Sequence, residues 1–530
     1  MPDHAPSKRG ALLRAKNGDV IGFDETGLRL NLSDSVIADI HRRLPAGGQT
    51  LPVDAAVLGD VDAWNLREQG EWYVFDANLP GAQGTRQFRR KITAAPDASA
   101  PDIIADTSGA VFGVLAIGGT RRAVTADETL SFPYHVVTTG DDLGPAGAAG
   151  TETLAPTDLM QRLTEQTRDS LIADEILRRR YAEHRALPLL YARTETDSSA
   201  SISALIEGAA FTSFHQTVAN LCAAARALGK PAKVLSVGLD FTLEDVLSTG
   251  PEWCAAMHAL MRRITDIFAD HGLRKPLFTA VFDAGTRDVS DSDVLRAQWD
   301  LAWNKGGHDH VYAAPGYMFA LDEFGRPTDI ARLQMAEMEA CAIEARNSDQ
   351  PWNCPVLLLA EREPDNPSVI RCRGEGMGPF VLDAADPLNA GGACGFRLEG
   401  DSAGAKITSV QLDAKDRNDL LITCDKPPTG EGLTLCYAIG AAPSDDGMPA
   451  NRGALRDGFC YASRTGEMLH RWALPAALPV HRWKISRPFM SISTCPKVPC
   501  CAMTQRRPAS WTPVTPMMRR RSGITPMPPP

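Results

Sequence analysis

The run Lys233-Val-Leu-Ser-Val-Gly-Leu-Asp240 opens the stretch that indicates the fold, which extends to residue 340. It is predominantly apolar, as is typical of a strand that is covered by helices on both faces of a parallel sheet. Further helices and strands alternate along residues 253–268, 276–283, 294–303, 310–314 and 328–343. This alternation predicts a parallel α/β sheet with right-handed crossovers.

The spacing of apolar side chains defines the helices. In the first helix they recur every three or four residues and therefore share one face, at Trp253, Met257, Leu260, Met261, Ile264, Ile267 and Phe268. In an open sheet of this kind, ligands bind at the carboxyl ends of the strands. Asp240 and Asp283 end two predicted strands, so we expect both carboxylates to contact a ligand there.

The same stretch resembles the SGNH hydrolases, and within them the sialate O-acetylesterase-like carbohydrate esterases. The resemblance covers residues 185–345 and lies in the order of Gly238-Leu-Asp240, Asp283, Leu295-Arg-Ala-Gln298 and Gly325-Arg-Pro-Thr-Asp-Ile-Ala-Arg332. It implies a flavodoxin-like parallel α/β domain. It also implies a serine nucleophile after the first strand, in a Gly-(Asp/Gln)-Ser setting, and a histidine base in a closing Asp-x-x-His-Pro-Thr motif.

Both catalytic motifs depart from this pattern. The predicted first strand, residues 187–191, leads into Ala192-Arg-Thr-Glu-Thr-Asp-Ser-Ser199, which contains no Gly-x-Ser. The closing motif reads Glu323-Phe-Gly-Arg326-Pro-Thr328, with arginine in place of histidine. Arginine stays protonated and cannot act as a general base, but its planar fork is suited to binding carboxylate, sulfate or phosphate.

These departures favour a degenerate, non-hydrolytic domain that binds an anionic sugar. The expected ligand contacts are Arg193, Asp240, Asp283, Arg326 and Tyr317, since an aromatic ring can stack on a sugar face. The alternative is an active carbohydrate O-acetylesterase, with Thr194 or Ser198 as nucleophile and His215 as base. A third possibility is a scaffold whose crevice is filled. We expect no cofactor and no metal, because His308-Asp-His310 lies at the start of a strand, opposite the crevice.

Composition limits the function classes. The chain has 530 residues and a formal net charge of -10, which argues against a nucleic-acid-binding protein. No apolar run has the length of a membrane span, and the first residues lack the apolar core of a signal peptide. The sequence therefore predicts no membrane insertion and synthesis in the cytoplasm without export. The 12 cysteines are scattered and suggest neither a disulfide framework nor a zinc site.

The rest of the chain predicts a multidomain α/β plus all-β protein. Glycine and proline punctuate a β-rich N-terminal part at residues 1–138, with a hairpin at residues 18–27. A linker and a connecting helix are expected at residues 139–184, before the α/β domain at residues 185–365. Short, evenly spaced strands predict a β-sandwich at residues 366–483. Residues 484–530 lose all periodicity, which indicates a disordered or aberrant tail.

This arrangement resembles the tail or head-spike proteins of alphaproteobacterial prophages and gene transfer agents. The segments behind that resemblance are Leu235-Ser-Val-Gly-Leu-Asp-Phe-Thr-Leu-Glu-Asp-Val246 and Asn451-Arg-Gly-Ala-Leu-Arg-Asp457. It implies a virion component for host cell adsorption that binds cell-surface or capsular polysaccharide. The N-terminal part would anchor to other particle proteins, and the chain could form a homo-oligomer.

Overall fold

The computed structural model describes most of the chain between residues 10 and 481. The described residues are 10–15, 18–24, 27–30, 32, 58, 61–83, 86–92, 101–126, 129–141, 143–147, 154–197, 201–240, 247–284, 293–439 and 451–481. The tail predicted at residues 484–530 lies outside them.

Two small antiparallel sheets begin the chain. The first contains β1 (Gly10–Ala15), β2 (Gly18–Asp24) and β3 (Gly27–Leu30). The second contains β4 (Ala63–Gln69), β5 (Trp72–Ala77), β6 (Gln87–Lys91) and β7 (Ile104–Ala105). The pairing of β2 with β3 confirms the hairpin predicted at residues 18–27. Phe75, Phe88 and Tyr134 form part of a small apolar core beside the second sheet.

A seven-stranded sheet follows and carries the candidate site. Its strands, in chain order, are β8 (Val111–Gly118), β9 (Val136–Thr139), β10 (Met160–Arg162), β11 (Leu189–Thr196), β12 (Ala232–Asp240), β13 (Leu277–Phe282) and β14 (Asp309–Pro315). Their spatial order is β10-β9-β11-β8-β12-β13-β14. All neighbours pair in parallel except β10 with β9.

The strand order fixes the position of the crevice. Without the edge pair β9 and β10, the five parallel strands run in the order 2-1-3-4-5, which is the flavodoxin-like order. From β8 the chain adds its next parallel strand, β11, on one side, and from β12 it adds β13 and β14 on the other side. The point where the order reverses therefore lies between β8 and β12, and ligands bind at the carboxyl ends of such a pair.

Helices cover both faces of this sheet. They are α1 (Thr120–Ala123), α2 (Arg168–Ala182), α3 (Ile202–Ile206), α4 (Ala209–Ala227), α5 (Gly250–Asp270), α6 (Asp293–Trp303) and α7 (Asp329–Asn347). Helices α2 and α7 pack together on one face, whereas α3, α4 and α5 belong to the apolar core of the other face. The helices and strands predicted between residues 232 and 343 are thus confirmed.

The α/β sheet begins earlier in the chain than predicted. We expected Val111–Gly118 to belong to the N-terminal β-rich part, and the sheet to start at residue 185. The structure instead makes this strand the centre of the sheet, between β11 and β12. The connecting helix expected at residues 139–184 begins only at Arg168, and it packs on the sheet instead of bridging two domains. Strands β9 and β10 occupy part of the expected linker region.

The C-terminal part is β-rich, as the sequence predicts. Its strands are β15 (Val356–Arg362), β16 (Val369–Glu375), β17 (Val381–Leu382), β18 (Phe396–Glu399), β19 (Ile407–Leu412), β20 (Asp419–Cys424), β21 (Thr434–Tyr437), β22 (Leu455–Ala462), β23 (Met468–Trp472) and β24 (Ala476–His481). Seven of them form one sheet, and β17, β22 and β23 form another. Their packing as a β-sandwich stays a prediction.

The α/β and β-rich parts share one apolar core. Side chains from β14 and α7 belong to the same buried cluster as Leu420, Leu435 and Trp472. Polar contacts add to it: the Arg464 backbone N–H donates to Glu337 Oε1 (2.9 Å), and its guanidinium donates to Asp174 Oδ2 (3.3 Å). The boundary that we expected at residues 365 and 366 is therefore not a division between separate cores. None of the described helices is both long and apolar enough to cross a membrane.

His310 provides a test of the packing around β14. Its ring is fully buried, and in the described part of the chain neither ring nitrogen has a hydrogen-bond partner. Burial, together with the charges of Lys305, His258 and His308, lowers the pKa of His310 from 6.5 to about 3. Below pH 6.5 this histidine therefore binds a proton in the unfolded chain but not in the folded protein. The free energy of unfolding consequently falls as the pH falls from about 6.5 towards about 3.

Because of His310, we expect the free energy of unfolding to decrease by roughly 2 kcal/mol when the pH is lowered from about 7 to about 5. Urea unfolding of wild type and His310→Leu at both pH values measures this, and the variant should lose less stability on acidification. His481→Gln, at an exposed position, should behave as wild type. Equal losses in wild type and His310→Leu would show that this histidine does not titrate differently in the two states.

Candidate functional site

The crevice is built from the ends of β8 and β12. Strand β8 ends at Gly118, and after Gly119 the chain enters the short helix α1. The Gly119 backbone N–H donates to the Asp240 carbonyl oxygen at 2.9 Å, which ties the two strand ends together. A side chain at position 118 would come within 2.8 Å of the same carbonyl oxygen, so the close approach requires glycine. Helix α1 thereby places Arg121 and Arg122 at the point where the strand order reverses.

Arg122 is the centre of a buried ion network. Its side chain is 1% exposed and meets two carboxylates that are fully buried. The guanidinium donates to both oxygens of Asp169, at 3.2 and 2.7 Å, and to both oxygens of Glu339, at 3.3 and 2.8 Å. Asp169 comes from the first turn of α2, and Glu339 from the middle of α7. Two helices and the central strand are therefore joined through one side chain.

A second arginine extends the network to Asp240. The guanidinium of Arg168 forms an ion pair with Asp240 and lies 3.3 Å from Glu339. Asp240 Oδ2 is also 3.6 Å from Arg122. The prediction that Asp240 faces the crevice agrees with this position. The carboxylate is, however, already in contact with two arginines of the chain.

Burial and ion pairing oppose each other in this network. Burial works to raise the pKa of Glu339, but Arg122 and Arg168 outweigh it and hold that pKa below its ordinary value. Burial likewise disfavours the charged form of Arg122, but Asp169 and Glu339 raise its pKa above the ordinary value. Burial and the charge of Arg122 lower the pKa of Arg168 to about 10, which leaves it charged at neutral pH. The two protonated arginines have no free electron pair and cannot act as general bases. The Glu339 carboxylate is ionised, but two guanidiniums hold its pKa low, which makes it a weak base.

Thr194 joins the same network. The residue is fully buried in β11, and its hydroxyl donates to Asp169 Oδ2 at 2.6 Å. On the esterase alternative this hydroxyl would be hydrogen-bonded to an imidazole. His215 instead lies exposed on α4, and its ring packs edge-on against His271 with 5.6 Å between centroids. The structure therefore does not bring the two together. Ser198, the other nucleophile candidate, lies outside the described residues.

Arg193 lies on the face of β11 opposite to that of Thr194, because neighbouring side chains of a strand alternate between the two faces. Its guanidinium donates to Glu195 (2.8 Å), to both oxygens of Asp141 (3.2 and 2.9 Å) and to the Gly144 carbonyl oxygen (2.7 Å). We expected Arg193 to contact a ligand. The structure instead uses its donors to fix the segment around Gly144 against the sheet.

Arg121 links the end of β13 to the loop before α7. One guanidinium nitrogen lies 3.5 Å from Asp283 Oδ1, and the other donates to the Gly325 carbonyl oxygen at 3.1 Å. The Asp283 backbone is held by the Gln298 side chain, which both accepts from its N–H (2.9 Å) and donates to its carbonyl (3.2 Å). Asp283 thus lies at the crevice, as the sequence predicts, and shares it with an arginine that the sequence analysis missed.

The loop that carries Arg326 is a tight turn at the rim. Asp322 Oδ1 accepts from the backbone N–H groups of Phe324 and Arg326, at 2.9 and 2.8 Å. Leu321 and Pro327 pair across the base of the turn. The Arg326 guanidinium lies 5.5 Å from the centre of the Phe324 ring, and Phe324 is 71% exposed. An arginine and an aromatic ring are therefore presented together to solvent.

Tyr317 does not line the crevice in the way that we expected. Its ring is fully buried, and its hydroxyl donates to the Ala473 carbonyl oxygen at 2.6 Å and lies 3.3 Å from the Tyr437 hydroxyl. The ring faces the β-rich part because the backbone turns into a short 3-10 helix, Gly316–Met318, at the end of β14. Tyr317 is a packing residue between the two parts of the chain.

The sequence analysis missed the segment that follows the central strand. It reads Gly118-Gly-Thr-Arg-Arg122, with Thr120 as the first residue of α1. In the resembled esterases the serine of a Gly-x-Ser follows the first strand, and here a Gly-x-Thr follows it. The sequence analysis assigned these residues to the separate β-rich part at residues 1–138, and therefore did not consider them as part of the crevice. In the described residues, no group of three or more His, Cys, Asp or Glu side chains could hold a metal ion.

Arg122→Met should lower the free energy of unfolding by about 3–5 kcal/mol, because it leaves Asp169 and Glu339 buried without their shared cation. Urea unfolding measures this loss. The matched control is Arg185→Met, since Arg185 pairs with Glu183 at the surface, and it should change stability by less than about 1 kcal/mol. If both variants lost the same small amount, the network would not hold the sheet and helices together.

Gly238 gives an independent test of the same packing. A side chain on this residue of β12 would overlap the guanidinium of Arg122. We expect Gly238→Ala to cost about 1–3 kcal/mol, because the arginine cannot move without leaving its carboxylates. Gly458→Ala is the control, since a methyl group there meets no atom within 4 Å among the described residues. Thermal unfolding of the two variants side by side would contradict this packing if Gly238→Ala were as stable as the control.

No family model and no curated protein matches the chain. Solved structures that resemble it include a carbohydrate acetylesterase from Xanthomonas citri, with 12% identity and a TM-score of 0.41 over 77% of this chain and 96% of that one. The protein NanS shares 11% identity, with a TM-score of 0.32 over 46% of this chain and 100% of that one. A protein from Arabidopsis thaliana shares 12% identity, with a TM-score of 0.31 over 45% and 99%. Likeness at this level carries no argument about activity.

Proposed function

We propose that this chain is a non-hydrolytic, glycan-binding protein with a sheet of the SGNH-hydrolase type. It would bind an acidic cell-surface polysaccharide at the rim of the crevice. The observation that carries the proposal is the exposed pair of Arg326 and Phe324, in the turn where the resembled esterases have their histidine base.

The crevice itself argues against hydrolysis. Ester cleavage needs a nucleophile, a base within hydrogen-bond reach and donors for the oxyanion. Between β8 and β12 the charged side chains that the structure describes, Arg122 and Arg168 with Asp169, Glu339 and Asp240, are paired with one another in ion pairs. Arg326 cannot replace the histidine, because a guanidinium does not release its proton at ordinary pH.

The rim has the chemistry of a sugar contact. The face of an exposed aromatic ring such as Phe324 can pack on the apolar face of a pyranose. The guanidinium of Arg326 beside it can bind a carboxylate or sulfate through paired hydrogen bonds. Arg121 supports the turn from below through the Gly325 carbonyl, which holds both groups at the crevice mouth. A polysaccharide with acidic groups fits this combination better than a neutral one.

An active O-acetylesterase is the second candidate. The observation in its favour is that Gly118-Gly119-Thr120 follows the central strand, where the resembled family has its nucleophile. Threonine can act as a nucleophile when a base activates it. An O-acetylated polysaccharide would be a ligand on the first proposal and a substrate on the second.

From the sequence we also propose that the protein belongs to a phage-like particle. The N-terminal part would contact other particle proteins, and the polysaccharide contact would serve adsorption to a host cell. Homo-oligomer formation is part of the same proposal.

Binding and hydrolysis can be tested on one polymer, O-acetylated alginate, with dextran as the neutral comparison. We expect binding to alginate and not to dextran, and a loss of roughly tenfold or more in affinity for Phe324→Ala and for Arg326→Ala. Acetate release should be equal for wild type and Thr120→Ala. Biolayer interferometry measures the binding, and an enzymatic acetate assay the release.

Met468→Ala is the control for loss of an exposed apolar side chain elsewhere, and it should bind as wild type. Alginate binding that survives both rim variants would refute the rim as the contact. Acetate release that is abolished by Thr120→Ala would replace the binding proposal with the esterase.

A further inference from the structure

A second concavity lies away from the crevice, where α6 ends and the β-rich part begins. It has a volume of about 290 Å³. Its polar and aromatic lining includes Trp303, Lys305, Asn353 and Glu375. Lys305 precedes the first residue of β14, so the pocket opens towards the amino ends of the parallel strands, whereas the crevice lies at their carboxyl ends.

Aromatic side chains form the apolar surfaces of this pocket. Trp303 is 53% exposed, and Trp299 packs edge-on against it with 5.7 Å between ring centroids. Tyr312 and Trp352 line the interior and are almost completely buried. The Trp352 indole N–H donates to the Ala313 carbonyl oxygen at 3.3 Å, which fixes the ring. The exposed indole of Trp303, in a pocket that buried aromatic rings also line, is suited to pack on the apolar face of a sugar ring.

Lys305 supplies a positive charge without a direct partner. Burial lowers its pKa from the ordinary lysine value. Asp309, whose charge acts on Lys305, is bound through both carboxylate oxygens by Arg346, at 3.0 and 3.1 Å. In the described part of the chain, no carboxylate lies within the 4.0 Å of an ion pair with the Lys305 ammonium. A ligand carboxylate would therefore gain a cation that is already partly desolvated.

Two further lining residues, Asn353 and Glu375, offer groups for hydroxyls. Asn353 and Glu375 are exposed, and neither side chain has a hydrogen bond to any other described residue. The carboxylate of Glu375 accepts hydrogen bonds and repels a second anion. A ligand with both a carboxylate and hydroxyl groups is thereby oriented, with its carboxylate at Lys305 and its hydroxyls at Asn353 and Glu375.

We propose that this pocket binds a uronic acid, that is, a pyranose ring bearing a carboxylate, as a free sugar or as one residue of an acidic polysaccharide. The ring face packs on Trp303, the carboxylate pairs with Lys305, and the hydroxyls bond Asn353 and Glu375. The site is separate from the Arg326 rim and does not depend on the function proposed there. A polymer that occupied both sites would gain avidity.

Isothermal titration with free glucuronic acid tests the site, with glucose as the uncharged comparison. We expect glucuronic acid to bind, and glucose to bind roughly tenfold more weakly because it has no anion for Lys305. Lys305→Met and Trp303→Ala should each weaken glucuronic acid binding by about tenfold or more, and added salt should weaken it in wild type but not in Lys305→Met. Thermal unfolding checks that the variants are folded.

Lys415→Met, which removes an exposed lysine of the β-rich part, should bind glucuronic acid as wild type does. The proposal is overturned if wild type shows no binding, or if Lys305→Met binds as tightly as wild type. It is also overturned if Phe324→Ala abolishes binding while Lys305→Met does not, because the rim would then be the uronic acid site. Weaker alginate binding in the rim variants, with a glucuronic acid affinity that still depends on Lys305, would support two separate sites.

Discussion

The buried guanidinium of Arg122 is the constraint on which the α/β sheet depends. A charge removed from water is tolerated only where opposite charges and hydrogen bonds replace the lost hydration. Asp169 and Glu339 provide both, one from each of the two helices that cover the same face of the sheet. The absence of a side chain at Gly238 leaves the space that the guanidinium occupies. The positions of α2, α7 and β12 are therefore coupled through a single residue of α1.

This coupling also determines what chemistry the crevice can perform. The topology places a crevice between β8 and β12, and the arginines and carboxylates there are paired with one another. The cationic and aromatic groups that a partner could contact lie elsewhere, in the turn with Phe324 and Arg326 and in the pocket at the other end of β14. Both surfaces combine an exposed aromatic ring with a cation near polar groups. On both proposals, that combination would bind an acidic sugar without a proton transfer.

Local patterns predicted the fold well where neighbours in sequence determine the structure. Apolar periodicity located α5, α6, α7 and strands β12 to β14, and even spacing of short strands located most of the β-rich part. The central position of β8 was not predictable in this way, because a buried strand has the same apolar pattern in any sheet. The pairing of β8 with β11 and β12 depends on residues far apart in sequence.

The site was harder to predict than the fold, for the same reason. Asp169 and Glu339 stand in charged helical sequence and resemble solvated surface residues, yet both are fully buried. Their shared partner Arg122 lies 47 and 217 residues away in the sequence, so no local pattern reveals the pairing that stabilises both buried carboxylates. Asp240 and Asp283 were located correctly because strand ends are visible in sequence. The positions of Tyr317 and Arg193 were not predicted correctly. The Tyr317 side chain packs against the β-rich part, and the Arg193 side chain binds the segment near Gly144.

A double-mutant cycle between Arg122→Met and Glu339→Gln, measured by urea unfolding, tests most directly whether the ion pairs of Arg122 hold the crevice together. If they do, the two substitutions together should destabilise the protein less than the sum of the single effects, with a coupling energy of at least about 1 kcal/mol. Additive effects, with a coupling energy near zero, would mean that the two residues do not depend on each other. The claim that the ion pairs of Arg122 hold the crevice together would then be contradicted.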